Sequence, residues 1–175
     1  MAVANEVLDT PLRQGDPALL DAELAQQLLH APIPARLAFV WTDGTPRVVP
    51  TWFHWTGDEI VMATYVAGPA IGIRHPAARL AALRANPAVA LSIDTDTFPP
   101  SSLTIRGRAR ITEVTGLAEE YVAAAHRYLG DGAPGMLAAL DEPGVVQARI
   151  AVRPDWVGLL DFVARRPSPQ GGVGG

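Results

Sequence analysis

Between Ile60 and Ile93 the sequence carries Arg74, Arg79 and Arg84 and no aspartate or glutamate. That stretch holds a charge of +3 inside a chain of −4, so the remainder carries −7. Arg74 and Arg79 fall around the start of a predicted helix, where the helix dipole disfavours cations and an anion would compensate them. Backbone N–H groups at a helix start, with a guanidinium beside them, make a phosphate site, and arginine can hold phosphate through two parallel hydrogen bonds. The plainer alternative is a set of solvated arginines on an alanine-rich helix.

A second cluster precedes the first. Val48-Val49-Pro50-Thr51-Trp52-Phe53-His54-Trp55 packs three aromatic rings and a proline into one extended segment. Proline has no N–H for a ladder, so this strand lies at an edge or bulges at Pro50 and leaves backbone groups open to a ligand. Flat rings beside freed backbone suit a flat heteroaromatic ligand, whereas Trp52, Phe53 and Trp55 taken singly read as core or dimer-interface residues. Farther on, Arg106, Arg108 and Arg110 alternate with Leu103, Ile105, Gly107, Ala109 and Ile111. The arginine stripe reads as a solvated strand face with acids on adjacent strands, and Gly107 reads as a bulge.

Composition removes whole classes of chemistry. The 175 residues contain no cysteine, so thiolate nucleophiles, iron–sulfur clusters and cysteine-ligated zinc are excluded. All 14 basic residues are arginine, which excludes a lysine Schiff base and a phosphate-loop lysine. His30, His54, His75 and His126 show no paired metal-ligand spacing, and no Gly-x-Ser-x-Gly elbow occurs. Any redox or group-transfer chemistry must then reside in a bound cofactor, with the protein supplying position and electrostatics. A net acidic chain argues against nucleic acid as a partner. Polar residues Asn5, Glu6 and Asp9 near the start, and charges or prolines in every apolar run, predict a cytoplasmic protein with no membrane span.

The elements that must position these residues follow from periodicity. Residues 1–16 read as a loose arm, 17–163 as one domain and 164–175 as a flexible tail. Helices are predicted over 17–30, from about His75-Pro76 to Asn86-Pro87, and over 117–129. Strands are predicted over 37–41, 47–55, 60–65, 88–94, 102–114, 145–152 and 156–163, the last two split by Pro154. The stretch 130–144 reads as a loop holding one short helical turn. Six or seven alternating strands with three short helices predict a mainly β, α+β fold, its antiparallel sheet closing into a small barrel.

With these segments in place, residues 16–163 resemble the pyridoxamine 5′-phosphate oxidase-like family, the split β-barrels that bind flavins and deazaflavins. The resemblance rests on Val49-Pro50-Thr51-Trp52-Phe53, Met62-Ala63-Thr64, the passage 79–91 from Arg79 to Leu91, and Leu103-Thr104-Ile105-Arg106-Gly107-Arg108-Ala109. It implies a homodimer with cofactors at the subunit interface. It implies a cofactor phosphate on Arg79 with Thr64 nearby, and a ring lying against the backbone from Val49 through Pro50 and Thr51 to Trp52. Ala63 joins that set beside Thr64. Ala77 and Ala82 replace a basic residue and an asparagine common in the family, and Arg74 stands where it could replace the missing cation. FMN is the first expectation for the cofactor and the deazaflavin coenzyme F420 the alternative. The implied activity is hydride transfer with a small organic substrate, with Trp52, Trp156 and the loop 130–144 shaping the substrate side. A non-catalytic cofactor- or haem-binding protein on the same scaffold is the competing reading.

Overall fold

The computed structural model describes residues 13–68, 72–73 and 76–161. Asp16 accepts a hydrogen bond from the Ala18 N–H at 2.9 Å and opens a 3-10 turn, Pro17–Asp21. Ala22 is extended, so the single helix expected here is divided, and α1 is Glu23–His30. Its Ala25, Leu28 and Leu29 are buried, as expected of an apolar stripe at helical spacing.

Seven strands form one antiparallel sheet in the order β2-β1-β5-β6-β7-β4-β3. They are β1 (Ala35–Val40), β2 (Pro46–Thr51), β3 (His54–Trp55), β4 (Ile60–Ala67), β5 (Ala88–Asp94), β6 (Ser101–Thr115) and β7 (Val146–Asp161). The β1–β2 turn closes with Gly44 at φ +85° and the Asp43 carboxylate accepting the Thr45 N–H at 2.8 Å. Asp43 is held below its ordinary pKa by the Thr45 side-chain and backbone hydrogen bonds. Alternation in β6 is as read: Leu103, Ile105 and Gly107 are buried while Arg106, Arg108 and Arg110 are exposed.

The strand expected over 47–55 is two strands at opposite ends of the sheet. β2 pairs with β1 and β3 pairs with β4, and only Trp52-Phe53 joins them. Phe53 is wholly buried, which pulls the chain through the core between the two edges. No ladder joins β2 to β3 among the described residues, so the sheet curls without closing. Past Val61, β4 has no ladder partner on its β3 side among the described residues, and β2 has none beyond β1. Two backbone edges therefore border the split.

Two other expectations change. Pro154 does not break the last strand: Arg106 pairs with Trp156 and Gly107 with Pro154, so the extra residue is taken up as a bulge and β7 runs on. The stretch 130–144 holds a 3-10 turn and a full helix, α4 (Ala133–Leu140), favoured by Pro134 in its first turn and a run of alanine, methionine and leucine. The remaining helices are α2 (Ala78–Ala85) and α3 (Glu119–Leu129).

Residues 13–16 are tied down and do not form part of a loose arm. The Gln14 side-chain amide donates to the Leu159 carbonyl at 2.8 Å and accepts its N–H at 2.9 Å, while the Gly15 N–H donates to the Val157 carbonyl at 2.7 Å. They cover the stretch of β7 that β4 does not reach. The expected arm over 1–12, the expected tail over 164–175, Arg74 and the His75 helix start lie outside the described residues. No helix of the described residues is long and apolar enough to cross a membrane.

Candidate functional site

Arg79 is the second residue of α2, whose first turn has no acidic residue and whose Ala77 cap gives no side-chain bond. Its neighbours Leu80 and Leu83 are buried in the core and fix the helix against the sheet, which draws Arg79 inward. The Arg79 Nε is enclosed and has no hydrogen-bond partner, and no acid among the described residues pairs with the side chain. Burial pushes its pKa down. An arginine remains cationic even so, and a partly buried charge without an acid calls for an anion.

Two grooves meet at this guanidinium. One, with a cavity volume of about 320 Å³, is lined by Pro50, Thr51, Trp52, Ala63, Arg79 and the α3 residue Tyr121, among others. The second, about 560 Å³, is lined by Val49, Thr64, Ala77 and Arg79 with Phe39 and Trp41. The split thus gathers Val49, Pro50, Thr51, Trp52, Ala63, Thr64 and Arg79 from β2, the crossover, β4 and α2. Every described residue marked from the sequence for the cofactor borders one groove or the other. The open edges of β2 and β4 supply backbone donors and acceptors to the same space.

The α3 wall was not marked from the sequence. Glu120, Tyr121 and Ala124 line the first groove, and Tyr128 stacks on Trp52 with ring centroids 5.0 Å apart and planes 9° apart. Tyr121 and Tyr128 are seven residues apart, two helical turns, and this spacing on an amphipathic helix was the available signal. Glu120 accepts from the Arg149 Nε at 2.6 Å; Arg149 also lies 3.7 Å from Glu59, which accepts from Arg110 at 2.7 Å. The carboxylate in the groove is thereby neutralised.

Tyr65, on the same face of β4 as Val61 and Ala63, has an enclosed hydroxyl with no hydrogen-bond partner, which costs about 1–3 kcal/mol while unsatisfied. Its ring meets that of Tyr121 edge-on at 6.2 Å. Burial, and then the neighbouring Tyr65, push the Tyr121 pKa far above its ordinary value. Burial raises Tyr128 too, against the opposing influence of Arg127. Both shifts favour the protonated phenols.

Other expectations resolve differently. Phe53 and Trp55 are core residues, and Trp52 alone of the three rings borders a groove. Trp156 lies under the Arg106 guanidinium, 4.0 Å from its ring centroid, and beside Gly15, away from either groove. α4 lines a separate small cavity with Leu117 and Val122. The arginine stripe is largely the solvated face expected, with Arg110 on Glu59 and, from α2, Arg84 on Glu113 at 2.7 Å.

Residues 21–159 match the family model for pyridoxamine 5′-phosphate oxidase, and the chain belongs to that family. No curated protein matches the sequence. Among solved structures, the chain is similar to an F420 reductase at 26% identity, covering 75% of this chain and 94% of that one with a TM-score of 0.53. It is also similar to a conserved hypothetical protein from Mycobacterium tuberculosis at 18% identity, covering 94% and 98% with a TM-score of 0.60. A third likeness is to the General Stress Protein 26 of Bacillus anthracis, at 16% identity over 78% and 90% with a TM-score of 0.51. The last two speak for the split-barrel fold alone.

Proposed function

We propose that the chain is an oxidoreductase that binds a phosphate-bearing flavin or deazaflavin in the split and uses it on a small organic substrate. The observation that carries this reading is the enclosed, acid-free Arg79 at the junction of the two grooves. The phosphate belongs on Arg79, with Thr64 and the first-turn N–H groups of α2 as further donors. The ring belongs against the backbone of Val49, Pro50, Thr51 and Trp52, where an edge strand has free N–H and carbonyl groups and the Trp52 indole offers a flat wall. Ala63 leaves room beside them, and Arg74 on the segment before α2 is proposed as a second cation for the phosphate.

When bound, such a cofactor supplies hydride exchange; the protein's share is to hold it, orient the substrate against its face and exclude water. Arg79 neutralises the phosphate, and the apolar floor of Val61 and Ala63 keeps the groove dry. The likeness to an F420 reductase supports a deazaflavin beside the FMN expected from the sequence. The haem alternative finds no histidine among the described residues that line either groove. A homodimer is part of the proposal: the β2 edge presents Val48, 63% exposed, and Pro50 beside the site, a face suited to a second copy.

The test is a visible spectrum after separate incubation with FMN and with F420, each followed by desalting. One of the two is expected to be retained by the wild-type chain, with affinity falling at least about tenfold in Arg79→Ala. Equal affinity of that variant would overturn the phosphate assignment. Cofactor that is retained but, once reduced with dithionite and freed of excess reductant, is not reoxidised by any of a panel of small substrates under anaerobic conditions would favour a binding protein over an enzyme. Sedimentation at micromolar concentration reads the dimer.

A further inference from the structure

We infer that His54 makes the Arg127 hold on the crossover acid-sensitive: a proton on His54 sets a second cation beside the guanidinium and releases Trp52-Phe53, and with it the Trp52 wall of the first groove. This is a property of the chain itself, with or without a cofactor, and goes beyond the proposed function.

The hold is built on two carbonyls, each belonging to the residue before a histidine. Arg127 on α3 donates to the Phe53 carbonyl, one residue before His54, and at 2.6 Å to the Leu29 carbonyl, one residue before His30. The same guanidinium donates to the Tyr128 hydroxyl at 3.1 Å. Trp52 is thus fixed at two points, through its bonded neighbour Phe53 and through the Tyr128 ring on which it stacks. No acid among the described residues lies within ion-pair distance of Arg127, and its enclosed Nε has no hydrogen-bond partner. Carbonyl and hydroxyl dipoles and the faces of Phe53 and Tyr128 are all that meet its charge, so a further cation beside it goes uncancelled.

The elements packed on β3 do little to offset that cation. α1 brings His30, its last residue, and β4 sets Ile60 and Val61 opposite β3, neither of them titratable. α3 brings Arg127, Tyr128 and Glu120, the one acid acting on His54 among the described residues. That carboxylate already accepts from the Arg149 Nε at 2.6 Å. Burial first and Arg127 second hold His54 below its ordinary pKa of 6.5, with Glu120 opposing and His30 adding to the depression. The coupling is reciprocal, so the proton that Arg127 resists weakens the Arg127 bonds in return.

The experiment is fluorine NMR on the full chain without cofactor, its four tryptophans replaced by fluorotryptophan, titrated from about pH 8 to about pH 5. Trp52→Phe and Trp55→Phe assign the two lines that matter. Trp55 follows His54 and reports its protonation, and the Trp52 shift difference between light and heavy water reports its exposure. As the Trp55 line titrates below pH 6.5, the Trp52 solvent isotope shift is expected to rise about twofold, while the other two tryptophans keep theirs. His54→Gln is expected to abolish the rise. A Trp55 line that titrates while Trp52 stays covered overturns the inference, and that comparison needs no variant. So does a Trp52 rise that persists in His54→Gln, or one shared by all the lines, which is acid unfolding of the whole chain. A Trp55 line that has not begun to titrate by about pH 5 overturns it too.

Discussion

The guanidinium of Arg127 lies over the Phe53 ring, 4.3 Å from its centroid, and donates a hydrogen bond to the Phe53 carbonyl. The same group donates to the Leu29 carbonyl at 2.6 Å and stands 4.8 Å from the Tyr128 ring centroid. One side chain on α3 thus fastens the crossover between the sheet edges and the end of α1. It holds Trp52, the preceding residue, against Tyr128. Arg127→Leu keeps the apolar stem and strands both carbonyls, so a loss of about 2–3 kcal/mol is expected from urea unfolding. An unchanged midpoint would show that the clamp contributes nothing.

Arg79 has the opposite balance in the free protein. Its guanidinium is partly buried without an acid, so Arg79→Met should raise the stability of the cofactor-free chain by about 0.5 kcal/mol while weakening retention of FMN or F420. Chemical unfolding measured beside cofactor titration would expose the trade. A destabilised variant would mean that Arg79 has a structural partner.

Gly107 sits where the bulge brings two backbones together. A Cβ there would lie 2.5 Å from the Arg153 carbonyl oxygen and 2.8 Å from the Val152 Cγ1. Gly107→Ala is expected to cost about 2 kcal/mol, because neither atom is the end of a flexible chain. Wild-type stability in that variant would mean that the bulge can slide.

His54, on β3, is held below its ordinary pKa of 6.5 by burial first and by Arg127 second, with Glu120 opposing. The unfolded chain therefore binds more protons than the folded one as pH falls below 6.5. That contribution to stability is complete above the ordinary value and is lost as pH falls toward the folded value. Urea midpoints from about pH 8 down to about pH 5 should decline, and His54→Gln should flatten the decline. Parallel curves for the two proteins would assign the acid loss to other groups.

Local information in the sequence was enough for β6, where alternation alone separates core from arginine face, and for the lack of an acid beside Arg79 among the described residues. It was enough as well for Pro50, whose missing N–H places it on an edge strand. It was insufficient for the residues 47–55. Their continuous extended pattern looks like one strand because the change of pairing partner at Trp52-Phe53 is decided by β1 and β4, remote in sequence. The α3 wall was hidden for a similar reason: Glu120 and Tyr121 acquire meaning from Arg149 and Tyr65, which β7 and β4 bring beneath the helix. Alternation broken at Pro154 looks like the end of a strand until Gly107 is seen opposite it, absorbing the extra residue.

The dipeptide between β2 and β3 gives the molecule a seam. In a closed barrel, widening the interior means tearing hydrogen bonds; here the lips are the edges of β2 and β4, with no ladder to tear between them. Across the opening β2 is held to β1 and β4 to β7, and Trp52-Phe53 is the hinge that joins the two sides. Arg127 pins the hinge on one side, and α2 carries Arg79 into the gap. Substitutions on the two lips would therefore change the breadth of guest the seam admits without touching a ladder, much as an expansion joint can be refitted without cutting the deck.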